Sequence, residues 1–256
     1  MCTMIKAYWW NENANFGDQL SPLILRYFGY QPTGVAAEQS DVAVCGSILQ
    51  HLPSSYRGAV IGAGFVAGGA PYPLPHANIL AVRGPLSLGR LQSRSRPLLA
   101  DPGLLASRMF EKRAAPTYAL GIVPHYVDAS SPQPGMLRER FGDAAIVIDV
   151  TAPPDVVASQ ISSCEVILSS SLHGLVVADS YSIPNAWAVI TAKVIGHGYK
   201  FHDYNAAFHV KQPPMFITGD ERPSEILASA IKKDIDVKGV QDSLVTAFRH
   251  LAVTPA

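Results

Sequence analysis

The chain has 256 residues, of which 48% are hydrophobic and only 16% are charged, so it can bury a substantial core and is not intrinsically disordered. Its 20 lysines and arginines are balanced by 20 aspartates and glutamates, and the net charge is zero. Nucleic-acid-binding proteins usually carry a surplus of basic residues, so we expect no nucleic-acid partner. An anion-binding site in this chain would have to consist of a few positive groups that lie close together.

The cysteines indicate no special chemistry. Cys2, Cys45 and Cys164 have neither the spacing of a zinc site nor the even number of a disulfide framework, so we expect reduced thiols and no bound metal. No segment approaches the roughly 18 apolar residues of a membrane span. Residues 1–18 lack the apolar segment of a signal peptide. The sequence therefore predicts a cytoplasmic protein. Peripheral contact with the inner face of the cytoplasmic membrane is compatible with this prediction.

Short apolar segments alternate with helix-like segments in the first part of the chain. The predicted strands are residues 5–10, 41–46, 58–65, 78–84 and 97–103. The predicted helices are residues 18–28, the SILQHL segment at 47–52, and a helix that begins at Pro85. Proline is well suited to the first turn of a helix because its φ is already fixed there.

A second series follows the charged, proline-containing segment at 111–117, which we predict to be a linker. Its predicted strands are residues 118–126, 144–150, 165–168 and 185–190. Its predicted helices are residues 135–142, 153–164 and 175–181, followed by two helices between 224 and 251.

Alternation of this kind is typical of α/β folds in which helices connect parallel strands. Two such series joined by a linker predict two Rossmann-like domains with parallel sheets facing a central cleft. We place the domains at residues 1–114 and 115–256, with the terminal helices able to pack back on the first domain. The cleft is the expected site because ligands bind at the carboxyl ends of parallel strands.

Polar and glycine residues follow many of the predicted strands and would meet in this cleft. In the second series the most distinctive is the sequence SSSLHG, which places His173 where a strand ends and a helix begins. Backbone N–H groups at such a helix start favour anions. Arginine, histidine and glycine at these ends are suited to a small, multiply charged anion, with histidines able to move protons. The candidates at the strand ends are Asn15, Gly17, Asp18, Ser47, Gly64, Arg83, His125, Ser170, Ser171, Leu172, His173 and Gly174.

Several of these residues have simpler interpretations. His173 can be a packing residue at a helix start, and Asn15 with Asp18 can serve only as helix caps. Arg83 can form a surface ion pair. The GAGFVAGG segment at 62–69 lacks the third glycine of a dinucleotide-binding fingerprint, so we do not predict a nucleotide cofactor there.

Six segments in order resemble the polysaccharide pyruvyltransferase family. They are NFGDQLSPLIL, GSIL, VRGPLSL, ADPGLL, GIVPHY and SSSLHGLVVADSYSIP, and the resemblance covers about residues 10–204. Many members have arginine before the Leu-His pair, where this chain has Ser171. In that respect, and in GYKFHDYN at 198–205, the chain is similar to the xanthan ketal pyruvyltransferase branch.

The resemblance implies a GT-B-like fold, phosphoenolpyruvate as the donor substrate, and no further cofactor. It implies a glycan acceptor, which we expect to be a lipid-linked oligosaccharide of exopolysaccharide assembly, and a pyruvate ketal as product. By the same resemblance Leu172 and His173 bind the donor. We expect Arg83 and Lys200 to bind its charges and His125 to be a second proton carrier. Two other functions remain open: a GT-B glycosyltransferase that uses a nucleotide sugar, and a non-catalytic protein of glycan assembly.

Overall fold

The computed structural model describes residues 3–93, 95–111 and 115–251. Cys2 and part of the predicted linker lie outside these residues. The strands are β1 (Thr3–Tyr8), β2 (Tyr30–Gly34), β3 (Val42–Ala43), β4 (Ala59–Ile61), β5 (Asn78–Val82), β6 (Leu98–Leu99), β7 (Tyr118–Val123), β8 (Ala145–Val147), β9 (Cys164–Ser169), β10 (Asn185–Val189) and β11 (Met215–Phe216). The helices are α1 (Phe16–Tyr27), α2 (Pro85–Leu91), α3 (Ala106–Met109), α4 (Gln133–Phe141), α5 (Pro154–Ser162), α6 (Leu172–Ser180), α7 (Tyr199–Ala206), α8 (Pro223–Ser229) and α9 (Val237–Arg249).

The strands form two sheets, one in each half of the chain. The first has the order β2-β1-β3-β4-β5-β6 and the second the order β11-β10-β9-β7-β8. All the strand pairs within both sheets are parallel. The predicted α/β class with two Rossmann-like parallel sheets is therefore confirmed, and the GT-B-like arrangement stays a prediction.

The sequence pattern identified the central elements better than the peripheral ones. Strand β2 was not predicted because it contains Pro32 and ends at Gly34, two residues that weaken strands and are tolerated at the sheet edge. The SILQHL segment forms only a 3₁₀ turn at Leu49–His51 and not the predicted helix. Helix α7 follows a glycine-containing loop and was not predicted.

One apolar core joins the two halves. It includes Ile5 and Leu104 from the first half together with Val123, Ile167 and Val176 from the second. Helix α6 lies inside this core: every one of its residues is buried, which explains why it has apolar residues on all sides. Helix α9 packs back on β5, β6 and the turn at Pro102–Leu105 of the first half.

Among the residues that the structure describes, no helix is both long and apolar enough to cross a membrane.

Candidate active site

A cleft of about 270 Å³ lies between the two halves at the ends of β1, β3, β7 and β9. Parallel strands direct their carboxyl ends and the following helix N-termini to the same edge, so both halves contribute polar groups here. The residues that line the cleft are Trp10, Asn15, Asp18, Ser47, Ile48, Gln50, His51, Val66, His125, Tyr126, Ser171, Leu172, His173, Ile195 and Lys200.

Helix α1 supplies the polar wall of the first half. Asn15 caps the helix, and its side-chain oxygen accepts a hydrogen bond from the Gly17 N–H at 3.3 Å. Its amide also donates to Asp18 Oδ2 at 2.8 Å. Burial raises the pKa of Asp18, although the charge of His173, the Asn15 hydrogen bond and the charge of Lys200 oppose this. Asp18 is therefore a carboxylate that accepts a proton more readily than an exposed aspartate. Asn15 and Asp18 can act both as caps and as site residues.

The opposite wall is the junction of β9 and α6. Ser171 is the N-cap of α6, and its side chain makes no capping hydrogen bond. Ser171, Leu172 and His173 all line the cleft, so the first turn of α6 faces it. The N–H groups of a first helical turn have no partner within the helix and carry partial positive charge. This wall is suited to binding a phosphate or a carboxylate.

The His173 side chain is buried where the two halves meet. Its Nε2 lies 3.7 Å from Asp101 Oδ2. On its other side the imidazole ring fills the space where a Cβ atom at position 17 would lie, directly against Nδ1. Phe16 packs edge-on against the same ring at 6.4 Å between centroids. Gly17 is thus required because the His173 ring occupies its side-chain space.

His125 is neutral at physiological pH. Burial, assisted by the charges of Lys200 and His173, lowers its pKa to about 3. Its Nδ1 accepts the Val127 N–H at 3.4 Å, which leaves the proton on Nε2. The role of His125 as a proton carrier stays a prediction, and a pKa of about 3 does not favour proton exchange by this side chain near neutral pH. His125 instead offers the cleft a neutral hydrogen-bond donor.

Lys200, at the start of α7, lines the cleft with a buried ammonium group. Within residues 3–93, 95–111 and 115–251 its Nζ has no hydrogen-bond or ion-pair partner. Burial, together with the Arg83 charge, lowers the pKa of Lys200 to about 8, while Asp18 and Asp128 oppose the shift. It is still mostly protonated at neutral pH. The ring of Phe201 lies 5.6 Å from Nζ, but a buried cation without a hydrogen bond or counter-charge is costly, so this ammonium group is available for an anionic ligand.

Arg83 does not reach the cleft. It is completely buried, and its Nε forms an ion pair with Asp203 Oδ2 at 3.0 Å. Its Nη2 donates to the Phe65 carbonyl at 2.6 Å, and its Nη1 donates to Ser47 Oγ at 2.8 Å. The pair is buried, so it is not the surface ion pair that was the alternative interpretation. The expected direct contact of Arg83 with a donor does not fit this geometry, because the guanidinium group lies behind Ser47.

The structure brings most, but not all, of the predicted site residues to the cleft. Those that line it are Asn15, Asp18, Ser47, His125, Ser171, Leu172, His173 and Lys200. Those that lie behind its walls are Gly17, Gly64, Arg83, Ser170 and Gly174. Gly64 leaves room for the Arg83 guanidinium, and Gly174 packs against Ser169. Ser170 supports His125, because its Oγ accepts the His125 N–H at 2.9 Å and donates to Asp128 at 2.7 Å.

Other residues of the site were not predicted. The Trp10 ring packs at a tilt against His51 with 5.2 Å between ring centroids, and both line the cleft with Tyr126. Asp101 was also not predicted as a site residue, although its ADPGLL segment is part of the family resemblance. Nothing near Asp101 in the sequence indicates His173, which follows 72 residues later. The proline and glycine after Asp101 predict only a turn.

One group of side chains could hold a metal. Ligand atoms of Cys45, Asp101 and His173 lie within 4.8 Å of one another, and zinc accepts all three residue types. However, burial, with the nearby charges of Asp101 and Asp18, raises the pKa of Cys45 well above its usual value, which disfavours the thiolate that a metal needs. The expectation of no bound metal stays a prediction.

Comparison with known proteins matches this chain to a protein family. A family model described as polysaccharide pyruvyl transferase matches residues 7–188, which is most of the chain. The succinoglycan biosynthesis protein ExoV of Rhizobium meliloti is 25% identical over 228 residues, 87% of this chain and 71% of ExoV. An uncharacterised protein of Acanthamoeba polyphaga mimivirus is 36% identical over 118 residues, but the match covers only 44% of this chain and 41% of the viral protein. A structure of the wall teichoic acid polymerase TagF superimposes with a TM-score of 0.44 and 9% identity, over 98% of this chain and 84% of that one.

Proposed function

The chain belongs to the polysaccharide pyruvyl transferase family, and from this we propose that it transfers the pyruvyl group of phosphoenolpyruvate to a sugar of an exopolysaccharide repeat unit. The products are a pyruvate ketal and inorganic phosphate. The observation that carries this proposal is the ammonium group of Lys200, which has no hydrogen bond or ion pair to the described residues and lines the cleft together with the first turn of α6. Together they form a small anion site in a protein without net charge.

The donor needs such a site because it has a phosphate and a carboxylate, close to three negative charges in all. In our proposal the ammonium group of Lys200 and the N–H groups at Leu172 and His173 bind these charges. Lys200 takes the place of the arginine that many family members have at the Ser171 position. Arg83 acts indirectly, because it holds Ser47 at the cleft wall.

The proposed reaction requires one proton donor and one proton acceptor. A sugar hydroxyl oxygen attacks C2 of phosphoenolpyruvate while C3 receives a proton, and the double bond becomes a methyl group. A second hydroxyl of the same sugar then attacks C2, and the C–O bond to phosphate breaks. His173 protonates C3 and then takes the proton of the second hydroxyl, which restores its starting state. Asp18 takes the proton of the first hydroxyl, a role that its raised pKa favours. Neutral His125 orients a substrate oxygen through its Nε2–H group.

The acceptor sugar binds at the aromatic part of the cleft in this proposal. Trp10, His51 and Tyr126 offer ring faces and edges of the kind that pack against the apolar faces of sugars. We further propose that the acceptor is linked to a lipid and that the enzyme acts in the cytoplasm, at the inner face of the membrane.

The first test is binding of the donor to the purified protein. We expect millimolar phosphoenolpyruvate to raise the melting temperature well beyond phosphate, pyruvate or a UDP-sugar, because a bound ligand stabilises the folded state. Lys200→Met should abolish the shift, whereas Lys193→Met, which removes an exposed lysine outside the cleft, should keep it. Stabilisation by the UDP-sugar alone would contradict the proposal and favour a glycosyltransferase.

The second test is turnover. With phosphoenolpyruvate and lipid-linked repeat units as acceptor, phosphate should be released in proportion to ketal formation, which mass spectrometry detects as a mass increase of the glycan. Binding of phosphoenolpyruvate without any phosphate release would indicate a non-catalytic protein.

A further inference from the structure

Two buried polar atoms at the base of the cleft face each other without another partner. His173 Nε2 and Asp101 Oδ2 are both buried, and neither makes a hydrogen bond to the described part of the chain. They are 3.7 Å apart, and the side chains are only 8% and 1% exposed. The separation is longer than a hydrogen bond, as is common for catalytic pairs in the absence of substrate. The most direct way to satisfy both atoms is an Nε2–H group that donates to Oδ2.

Asp101 is held so that its Oδ2 is the carboxylate oxygen without a hydrogen bond to the described residues. Its Oδ1 accepts the Gly103 N–H at 2.9 Å and lies 3.9 Å from the Cys45 sulfur. The turn at Pro102–Leu105 packs against α6, the helix that carries His173. A side chain at Gly103 would collide with Val176 of α6, so the two elements are in close contact. The carboxylate therefore has a fixed position relative to the imidazole ring.

We infer that Asp101 is a positioning residue that holds the His173 ring and fixes its proton on Nε2, so that Nδ1 is the nitrogen that exchanges protons with the substrate. This inference rests on the proposed function for its chemical meaning. Nδ1 lies beside Gly17, and the neighbouring residues Asn15 and Asp18 line the cleft together with His173. When Nδ1 gains a proton, the carboxylate stabilises the resulting imidazolium, as a buried aspartate does for the histidine of a catalytic triad.

The same three side chains could instead bind a metal, and the structure favours the histidine–aspartate pair. Asp101 Oδ1, the oxygen nearest the Cys45 sulfur, is already occupied by the Gly103 N–H. A metal would also need a fourth ligand, and no further histidine, cysteine or carboxylate of the described residues joins the group.

The structural test is the tautomer of His173 in Asp101→Asn. The asparagine oxygen should keep the Gly103 hydrogen bond, which turns its NH₂ group toward His173. Nε2 must then become an acceptor, and the proton moves to Nδ1. Long-range ¹H–¹⁵N spectra of protein labelled in histidine, assigned with His173→Gln, should show the Nε2–H form in the natural protein and the Nδ1–H form in Asp101→Asn. The same tautomer in both proteins would overturn the inference, whatever the activity.

The kinetic test separates positioning from stability. Asp101→Asn should lower kcat by about 10³-fold and change the KM for phosphoenolpyruvate by less than about threefold. Asp149→Asn, which alters an exposed aspartate outside the cleft, should leave both unchanged. Unchanged kcat in Asp101→Asn would overturn the inference, and so would stoichiometric zinc that is lost in Cys45→Ala. If the tautomer switches but no preparation turns over phosphoenolpyruvate, the pair stands and the proposed function fails.

Discussion

Lys200 makes the affinity of the cleft for anions depend on pH. Its pKa, lowered to about 8 by burial, means that the side chain is charged below that pH and neutral above it. We predict that the KM for phosphoenolpyruvate is constant up to about pH 8 and then rises by up to about tenfold per pH unit. Initial rates between about pH 6.5 and 9.5 measure this.

Arginine at position 200 provides the control for this prediction. An arginine stays charged throughout the range, so Lys200→Arg should bind the donor less well but with a flat pH profile. If the rise in KM above pH 8 persisted in Lys200→Arg, another group would be responsible for it.

The lack of a side chain at Gly17 makes room for the His173 ring. The Cβ of alanine at this position would collide with the His173 ring, which is buried and packs edge-on against Phe16. We predict that Gly17→Ala lowers kcat at least about tenfold and costs about 1–3 kcal/mol in the free energy of unfolding.

A matched control exists on another helix. Gly89 lies within α2 and has no atom near its Cβ position, so Gly89→Ala should be neutral or stabilising by about 0.5–1 kcal/mol. Urea unfolding and steady-state rates of the two variants give the comparison. Equal behaviour of the two alanine variants would show that the His173 ring is not confined as described.

Helices α2 and α7 are joined across the two halves by one carboxylate. Asp203 accepts hydrogen bonds from the Ser87 N–H at 2.9 Å and the Ser87 hydroxyl at 2.6 Å, besides its ion pair with Arg83. We predict that Asp203→Ala lowers the free energy of unfolding by about 3–5 kcal/mol, because it leaves a buried arginine without its counter-charge. It should also weaken phosphoenolpyruvate binding, since α7 carries Lys200.

The exposed pair of Arg140 and Asp220 is the comparison for this effect. Its atoms are 2.6 Å apart, closer than the buried pair, yet the side chains are 43% and 71% exposed. Asp220→Ala should therefore cost at most about 1 kcal/mol. Chemical denaturation of both variants tests whether burial, and not distance, decides the contribution.

The sequence predicted the elements that carry strong local signals. The apolar segment before His173 became β9, and proline at position 85 begins α2 as expected. Contacts between residues far apart in the chain were not predictable. Nothing in the sequence around Arg83 shows that it would form a buried ion pair with Asp203, 120 residues later. The neutral state of His125 likewise depends on burial and on neighbouring charges that only the folded chain brings together.

The core that both halves share should make the whole molecule unfold as a unit. Phe248 of α9 is 1% exposed and stacks on Phe28 of the first half at 4.3 Å between centroids. We predict that Phe248→Ala lowers the stability of both halves together, by about 3–5 kcal/mol. Far-UV circular dichroism and the fluorescence of Trp187, in a variant without other tryptophans, should give coincident transitions. Separate transitions would mean that the halves are independent.

The contact between Gly17 and the His173 ring also limits how such proteins can be recombined. The ring belongs to one half and the space for it to the other, so each half contains only part of a reaction centre. A chimera of two family members would be active only if its halves fit at this contact, even when each parent sheet is intact. Restored turnover is then a sensitive assay for correct docking of exchanged halves.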